Sequence, residues 1–487
     1  MIDGLSQERF EDLLDEGQLV NIESMINQGL YVKNGIVSFP SMTGYCFYPF
    51  LTGVDAAQSG ILGLRWLDRQ KENEHFRNYV GRTNVHMNED LRKDVRTIFE
   101  HLETNDYSAS INSYCNRGVI ESVKTGLAHV TSKYDTYNAF GQIEKLPLIG
   151  SKLFKDIYEF EEQVRELASE QLKKNPKVHW VTFASPDARN HVHGTDEIYD
   201  DLIINLDRII GSYVDEANIL GHYRLFAIIS DHGVRDVHTN LRVEKTLYDK
   251  TGIKLHRGKA ANMLSMSLEE DADTYKDYDG KYVVNGNLGA FIYLKDSTGW
   301  PNQKYEPKLR AYKDIDLLKS LVNQMGIELV IYRIEDNLVS VESKAGRGLI
   351  QIKGDSLSYS VERTDPFNYD KLVNTDFSYG SYCQKDSTLL WSASSDYPGA
   401  LLRVSQTMTQ ANSPDIIILS EDGYDLAKDY EAFVFNYKGG HGGLHRDLIS
   451  VPFILSAKGM KAKQIDTMSS ETFGQIILEL LGISAFE

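Results

Sequence analysis

Between Val178 and Ser230 the chain spells out a strand, a helix and a second strand, and this unit limits the folds open to it more than any other feature. The runs Val178 to Ala184 (VHWVTFA) and Leu225 to Ser230 (LFAIIS) are almost wholly apolar, as strands covered on both faces are, and each breaks into a polar turn. Between them Ile198, Leu202, Leu206, Ile209 and Ile210 recur at helical spacing over Asp196 to Ala217, with Thr195 placed to cap the first turn. Strand, helix and strand in this order predict a doubly wound α/β sheet, in which ligand groups gather beyond the carboxyl ends of the strands. Ile416 to Ser420 (IIILS) and Val451 to Ser456 (VPFILS) read as further buried strands of the same parallel kind.

Two stretches interrupt this rhythm. Residues 70–175 read as a mostly helical insertion ending in a long helix around Phe154 to Lys174. Residues 271–397 read as a mixed α+β cap, with strand-like LGAFIYL, IELVIYRI, GLIQIKG and SLSYSVE and a helix around Ile315 to Met325. The core is then expected in three pieces, 1–69, 176–270 and 398–487.

Composition narrows the partners. With 52 Lys and Arg against 70 Asp and Glu, the formal charge is -18, which argues against a nucleic-acid polymer as partner. A small phosphorylated substrate remains open, because bound divalent cations reverse the sign of the local potential. Cys46, Cys115 and Cys383 are too few and too scattered for a disulfide framework or a zinc knuckle. No run of about 18 apolar residues predicts a membrane span. The opening MIDGLSQERFEDLLDEG has neither the basic nor the apolar region of a signal peptide, so the expected compartment is the cytoplasm. The sequence does not speak to oligomeric state.

Five short stretches hold the groups that carry chemistry. They are IDGLS with Asp3, GIVSFPSMTGYCFYPFLTG with Thr43, FASPDARNHVHG with Asp187 and His191, AIISDHG with Asp231 and His232, and YKGGHGGLHRDLISVPFI with His441. Taken singly each has a plain reading: a threonine before a helix as an N-cap, an aspartate after a strand as a turn residue, a His-Gly-Gly as a loop. Together, carboxylates and imidazoles in this mixture suit zinc or another borderline divalent cation.

In this order the five stretches resemble the type I phosphodiesterase/nucleotide pyrophosphatase family of the alkaline phosphatase superfamily. That family carries DG after its first strand, FPS-x-T with a downstream TG, PD-x-x-x-H-x-x-G, SDHG, and a late HG before a VPF-like strand. The likeness covers roughly Met1 to Val54, His179 to Asp236 and Ser413 to Leu481. It implies an alkaline-phosphatase-like core sheet with helices on both faces, hydrolysis of phosphoric esters, and two divalent metal ions, zinc first and manganese as the alternative. Asp187, His191 and His441 would hold one cation; Asp3, Asp231 and His232 would hold the other together with the Thr43 hydroxyl. Thr43 would be the nucleophile, attacking phosphorus in line and forming a covalent phospho-threonine. A threonine hydroxyl needs such activation, being a weak nucleophile at neutral pH. Thr43 also follows strand-like GIVSF at the start of a predicted helix, where free backbone N–H groups face an incoming phosphate.

The same two-metal site also serves phosphomonoesterases and phosphonoacetate-like phosphonate hydrolases, and these stand as alternatives, with a catalytically silent metal-binding protein behind them. The Pro and Arg signature of sulfatases is missing around Cys46, and phosphomutases generally use serine. His193, His238 and His445 read as loop residues, and Tyr45, Phe47, Tyr48 and Phe50 as a helix face packed into the core. Asn112, Asn116 and Arg117, in SINSYCNRG, could donate to a phosphate oxygen. Two departures from the family are visible. Cys46 stands where the family has an asparagine that helps to hold the phosphoryl oxygen. Asp3 should end a buried central strand, yet only Met1 and Ile2 precede it, which predicts either a lost upstream segment or a gap in the sheet.

Overall fold

The place of Asp3 organises the main sheet. In the computed structural model, Met1–Asp3 run between the second and first strands of the sequence-predicted unit. The Ile2 amide donates to the Ile229 carbonyl at 2.9 Å on one side, and the Asp3 amide donates to the Phe183 carbonyl at 2.9 Å on the other. Ile2 pairs in parallel with Phe183 and is fully buried. Met1–Asp3 thus occupy the central position between the two strands, so the sheet is continuous there. Across the sheet the order is Lys463–Ser469, Gly29–Ile36, Ser450–Ala457, Leu225–Ile228, Met1–Asp3, Val178–Val181, Ser108–Ile111 and Glu121–Val123. The structure describes residues 1–69, 76–80, 84, 86–125, 157–221, 224–257, 275–297, 299–300, 303–372, 377–428, 430 and 436–483. Much of the helical insertion expected over 70–175, including the predicted start of its long helix at Phe154, lies outside the described residues; the helix itself spans Ile157–Leu172.

Ser450–Ala457 runs antiparallel to both of its neighbours, a correction to the parallel strand expected there. An unbroken apolar run reports burial on both faces and says nothing of direction. Both faces are indeed covered, and the alternation of the strand sorts its side chains between them. Ile454 packs with Phe10, Ile22, Phe160, Val164, Ile203 and Leu206, from the helices Gln7–Asp15, Val20–Ile26, Ile157–Leu172 and Glu197–Ile219. Phe453 and Leu455 face the other way, toward Phe50, Val404, Phe473 and Leu478 from the helices Tyr48–Thr52, Ala400–Met408 and Ser470–Leu480.

The long helix Glu197–Ile219 is capped by Asp196, whose carboxylate accepts from the Tyr199 amide at 3.0 Å. Thr195, the expected cap, instead donates its hydroxyl to Asp236 at 3.0 Å. A carboxylate answers both the free amides and the positive end of the helix, so it takes the cap. The same helix fixes the chain around Asp3: the Tyr199 hydroxyl donates to the Gly4 carbonyl at 2.7 Å and accepts from the Ser6 amide at 2.8 Å.

Among the described residues a second sheet has nine strands, in the order Cys383–Gln384, Ser356–Arg363, Gly346–Lys353, Leu338–Glu342, Ile327–Glu335, Ile416–Ser420, Gly289–Leu294, Gly280–Val284 and Leu255–His256. Ile416–Ser420 sits in this sheet, antiparallel to both neighbours, and so corrects the second strand expected to run parallel in the core. The helices Val243–Thr251 and Leu317–Val322 pack Val243, Leu247, Leu317 and Leu321 on one face of it. Its hairpin Gly280–Val284/Gly289–Leu294 turns at residues 285–288, against the segment that carries His441. No helix among the described residues is long and apolar enough to cross a membrane.

Candidate active site

The chain turns at Gly4 directly after Asp3, in the left-handed region at φ +65°. A Cβ on Gly4 would lie 2.7 Å from the Cβ of Asp187. The Asp-Gly pair therefore has a steric reason: glycine lets a second carboxylate stand beside the first. Asp187 lies in the first turn of the helix Ser185–His193 and His191 one turn on, so both project from one face, with His191 Nε2 3.3 Å from Asp187 Oδ2. Asp231 and His232 follow the strand Leu225–Ile228, and His441 follows the short strand Gly439–Gly440.

The three imidazoles are aimed in the same manner. Each Nδ1 donates to a backbone carbonyl: His191 to Gly439 at 3.2 Å, His232 to Gly233 at 3.0 Å and His441 to Ser41 at 2.9 Å. A carbonyl only accepts, so the proton is on Nδ1 and Nε2 offers its lone pair to the site. Thr43 Oγ1 lies 3.1 Å from His232 Nε2 and 3.3 Å from Asp3 Oδ1. His232 Nε2 is 3.4 Å from Asp3 and 3.5 Å from Asp231, and His441 Nε2 is 3.9 Å from Asp187. All seven residues singled out in the sequence thus converge. Two groups have ligand atoms within 4.8 Å of one another, Asp187 with His191 and His441, and Asp3 with Asp187 and His232. Asp187 belongs to both.

The electrostatics are those of an acid cluster short of counter-charge. Burial pushes the Asp3 carboxyl well above its ordinary range, and the charges of Asp231 and Asp187 push it further. Burial likewise raises Asp231, to about 6, against the pull of His232. Burial also acts upward on Asp187, but the nearby His191 and His441 outweigh it and leave that carboxyl below its ordinary value. Burial, and then the neighbouring His232, hold His441 well below the usual imidazole value. Both carboxylate oxygens of Asp231 and Oδ1 of Asp187 are buried without a hydrogen-bond partner. Desolvated carboxylates left in this state are costly, and a cation among them removes the cost. Oxygen and imidazole donors together fit a borderline divalent ion.

A cavity of about 250 Å³ opens in front of Thr43, Asp3, Asp187, His191 and His441. Its polar wall includes Asn112, one of the three candidate phosphate donors, and three residues that sequence reasoning missed: Arg65, Tyr114 and Asn287. Arg65 is buried, donates Nη1 to the Val284 carbonyl at 3.0 Å, and is the one Lys or Arg on the described wall. An arginine inside the apolar run GILGLRW was the available signal, since arginine is seldom buried without a task. Tyr114 packs its ring edge-on against Phe47, and its hydroxyl is pushed up to about 12 by burial and by Asp3, Asp187 and Asp231. Asn116 instead bonds Ser122, and Arg117 pairs with Glu100, both away from the cavity.

The region after Thr43 is looser than the expected strand-to-helix handover. The strand ends at Ile36, and a 3-10 turn Tyr45–Phe47 precedes the five-residue helix Tyr48–Thr52. Tyr45, Phe47, Tyr48 and Phe50 are buried in the core as read. Cys46 is buried with them, its thiol 3.4 Å from the Ser38 carbonyl, and does not reach the cavity wall. His193, His238 and His445 lie outside both ligand groups.

The fold is an α/β one with an alkaline-phosphatase-like architecture, and the family that the sequence matches is one of phosphoric-ester hydrolases. The sequence model of the type I phosphodiesterase/nucleotide pyrophosphatase family matches residues 1–290, and the chain belongs to that family. Membership implies divalent metal ions, and the residues present fit them. No curated protein matches the chain by sequence. Among solved structures, human ectonucleotide pyrophosphatase/phosphodiesterase 5 is similar at 12% identity and a TM-score of 0.55, over 100% of this chain and 94% of that one. The murine protein is similar at 11% identity and a TM-score of 0.54, over 100% and 95%. A further murine structure, an inactive threonine-to-alanine variant in complex with AMP, is similar at 12% identity and a TM-score of 0.54, over 100% and 94%. At such identities the likeness establishes the fold.

Proposed function

We propose that the protein is a metal-dependent phosphodiesterase or nucleotide pyrophosphatase in which Thr43 attacks phosphorus and carries the phosphoryl group as a phospho-threonine ester. Asp187, His191 and His441 hold one cation. Asp3, Asp231 and His232 would hold the other together with the Thr43 hydroxyl. Zinc suits this donor set best and manganese is the alternative. The observation that carries the reading is the place of Thr43 Oγ1, 3.1 Å from His232 Nε2 beside partnerless buried carboxylate oxygens.

The cations supply Lewis acidity, favouring the alkoxide form of the threonine and drawing charge from the phosphoryl oxygens. Thr43 Oγ1 gives up its proton to solvent and forms its bond to phosphorus as the bond to the leaving oxygen breaks; that oxygen departs with the electron pair and takes up a proton from solvent. Water then cleaves the Oγ1–P bond, which restores the threonine and frees the phosphoryl product. Asp3 and His232 orient the hydroxyl, and the Nδ1 bonds of the histidines keep their Nε2 lone pairs directed at the site. Arg65 and Asn112 on the wall suit the charged and polar parts of a nucleotide-type ester. The murine relative whose threonine-to-alanine variant is inactive and holds AMP supports both the nucleophile and the substrate class.

Turnover of bis(p-nitrophenyl) phosphate and p-nitrophenyl phosphate with added zinc or manganese tests the reading. Diester hydrolysis above monoester hydrolysis, abolished by EDTA and by Thr43→Ala, is the expected result. Turnover that survives Thr43→Ala would remove the threonine from the chemistry, and monoester preference would move the protein to the phosphomonoesterases.

A further inference from the structure

Two glycine-rich segments meet behind the histidines, one from the nine-stranded sheet and one from a small sheet in which Gly439–Gly440 pairs with Arg235–Asn240. One is residues 285–289, Asn-Gly-Asn-Leu-Gly, at the hairpin turn of the nine-stranded sheet; the other is residues 439–443, Gly-Gly-His-Gly-Gly. They pack backbone against backbone. A Cβ on Gly286 would lie 2.6 Å from the His441 carbonyl oxygen, and one on Gly442 would lie 2.2 Å from that of Asn285. The Leu288 amide donates to the His441 carbonyl at 2.9 Å.

At the centre of this contact is the side chain of Asn287, which is buried. Its Oδ1 accepts from the His441 amide at 3.2 Å, and its Nδ2 donates to the Gly439 carbonyl at 3.1 Å. The Gly439 carbonyl is also the acceptor that fixes His191 Nδ1. One amide side chain therefore holds the main chain of His441 and the carbonyl that orients His191. A Cβ on Gly440 would lie 1.8 Å from Asn287 Oδ1, so the glycine there leaves room for the amide. Asn285, two residues away, makes an equivalent pair of bonds in another direction: it accepts from the Arg65 amide at 2.9 Å and donates to the Arg65 carbonyl at 2.8 Å.

We infer that Asn287 is a positioning residue for cation binding, setting His191 and His441 at once and leaving the Asp3, Asp231 and His232 group untouched. The inference rests on the proposed metal reading of those residues. Groups that orient metal ligands govern affinity even though they do not touch the ion. The turn of the second sheet thereby becomes part of the first sheet's cation site, through hydrogen bonds that only an amide of this length completes.

The test measures zinc binding by chelator competition on the full chain, as wild type, Asn287→Ala and Asn285→Ala, together with thermal unfolding of each metal-free protein. The milder Asn287→Ser, too short to span both backbone groups, is carried alongside in case alanine impairs folding. Wild type is expected to bind two zinc ions. The Asn287 variants should weaken one of them by about 10- to 100-fold and keep the other, while Asn285→Ala keeps both despite a similar loss of thermal stability. Two zinc ions bound by the Asn287 variants with wild-type affinity would overturn the inference, as would equal weakening by the Asn285 variant. Wild type that binds no zinc would instead sink the metal reading itself.

Discussion

The imidazoles of His232 and His441 lie face to face, their centroids 3.7 Å apart and their planes inclined by 12°. Stacked in this way neither ring can approach the other with a nitrogen, and each Nδ1 is already committed to a carbonyl. The two Nε2 atoms are thus presented side by side, one toward Asp3 and Thr43, the other toward Asp187. On the proposed metal reading, that pairing would serve two neighbouring cations, with Asp187 common to both candidate ligand groups.

Asp187→Asn should therefore affect both positions, whereas His191→Ala should affect one. Metal content after dialysis against limiting zinc is expected to fall from two ions to none in the first variant and to one in the second. Two ions retained by Asp187→Asn would place that carboxylate outside the cation sites.

Gly4→Ala tests the steric reading of the Asp-Gly pair. Its left-handed backbone should cost about 1–2 kcal/mol of stability, seen in urea unfolding. The added Cβ must also displace Asp187, and a displacement near 1 Å is expected to lower kcat/KM by about 100-fold.

Glu161 offers a pH signature from a carboxyl outside the candidate ligand groups. It is buried beneath the helix Ser185–His193, bonded by Ser185 and by Asn205 Nδ2 at 2.6 Å, and burial raises its pKa to about 8. The folded chain then keeps a proton that the unfolded chain releases near pH 4.5. Stability should fall as pH rises from that value toward 8, and no further above it. Glu161→Gln removes this dependence. Unfolding in urea should find the variant equal to wild type near pH 4.5 and more stable at pH 9, by roughly 2–4 kcal/mol.

Arg403 is fully buried, bonded to Asp55 at 3.1 Å, to Glu471 at 2.8 Å and to the Ile36 carbonyl at 2.7 Å. It ties two helices to the segment that leads to Thr43. Arg403→Met leaves two acids without their cation and should lower stability by about 3–5 kcal/mol in chemical denaturation.

How far the sequence reached differs between fold and site. The unit from Val178 to Ile228 was legible because a helical period between two apolar runs has few other solutions, and the Asp and His motifs at its strand ends could be placed with it. Strand direction was not legible. Ile416–Ser420 and Ser450–Ala457 are equally apolar in parallel and antiparallel settings, since periodicity reports cover rather than partner. Asn287 stayed hidden for a related reason: it is a single polar residue whose task is set by a segment 152 positions away, and no local pattern marks it.

The contact between Asn-Gly-Asn-Leu-Gly and Gly-Gly-His-Gly-Gly also defines a seam for anyone wishing to rebuild the molecule. The turn at residues 285–288 lies near one end of the nine-stranded sheet, and the hairpin Gly346–Lys353/Ser356–Arg363 lies near the other, with three strands between the two hairpins. Grafts or deletions at that far hairpin leave the histidine shelf alone. Changes at the near turn amount to surgery on the reaction centre, even though they fall in another sheet.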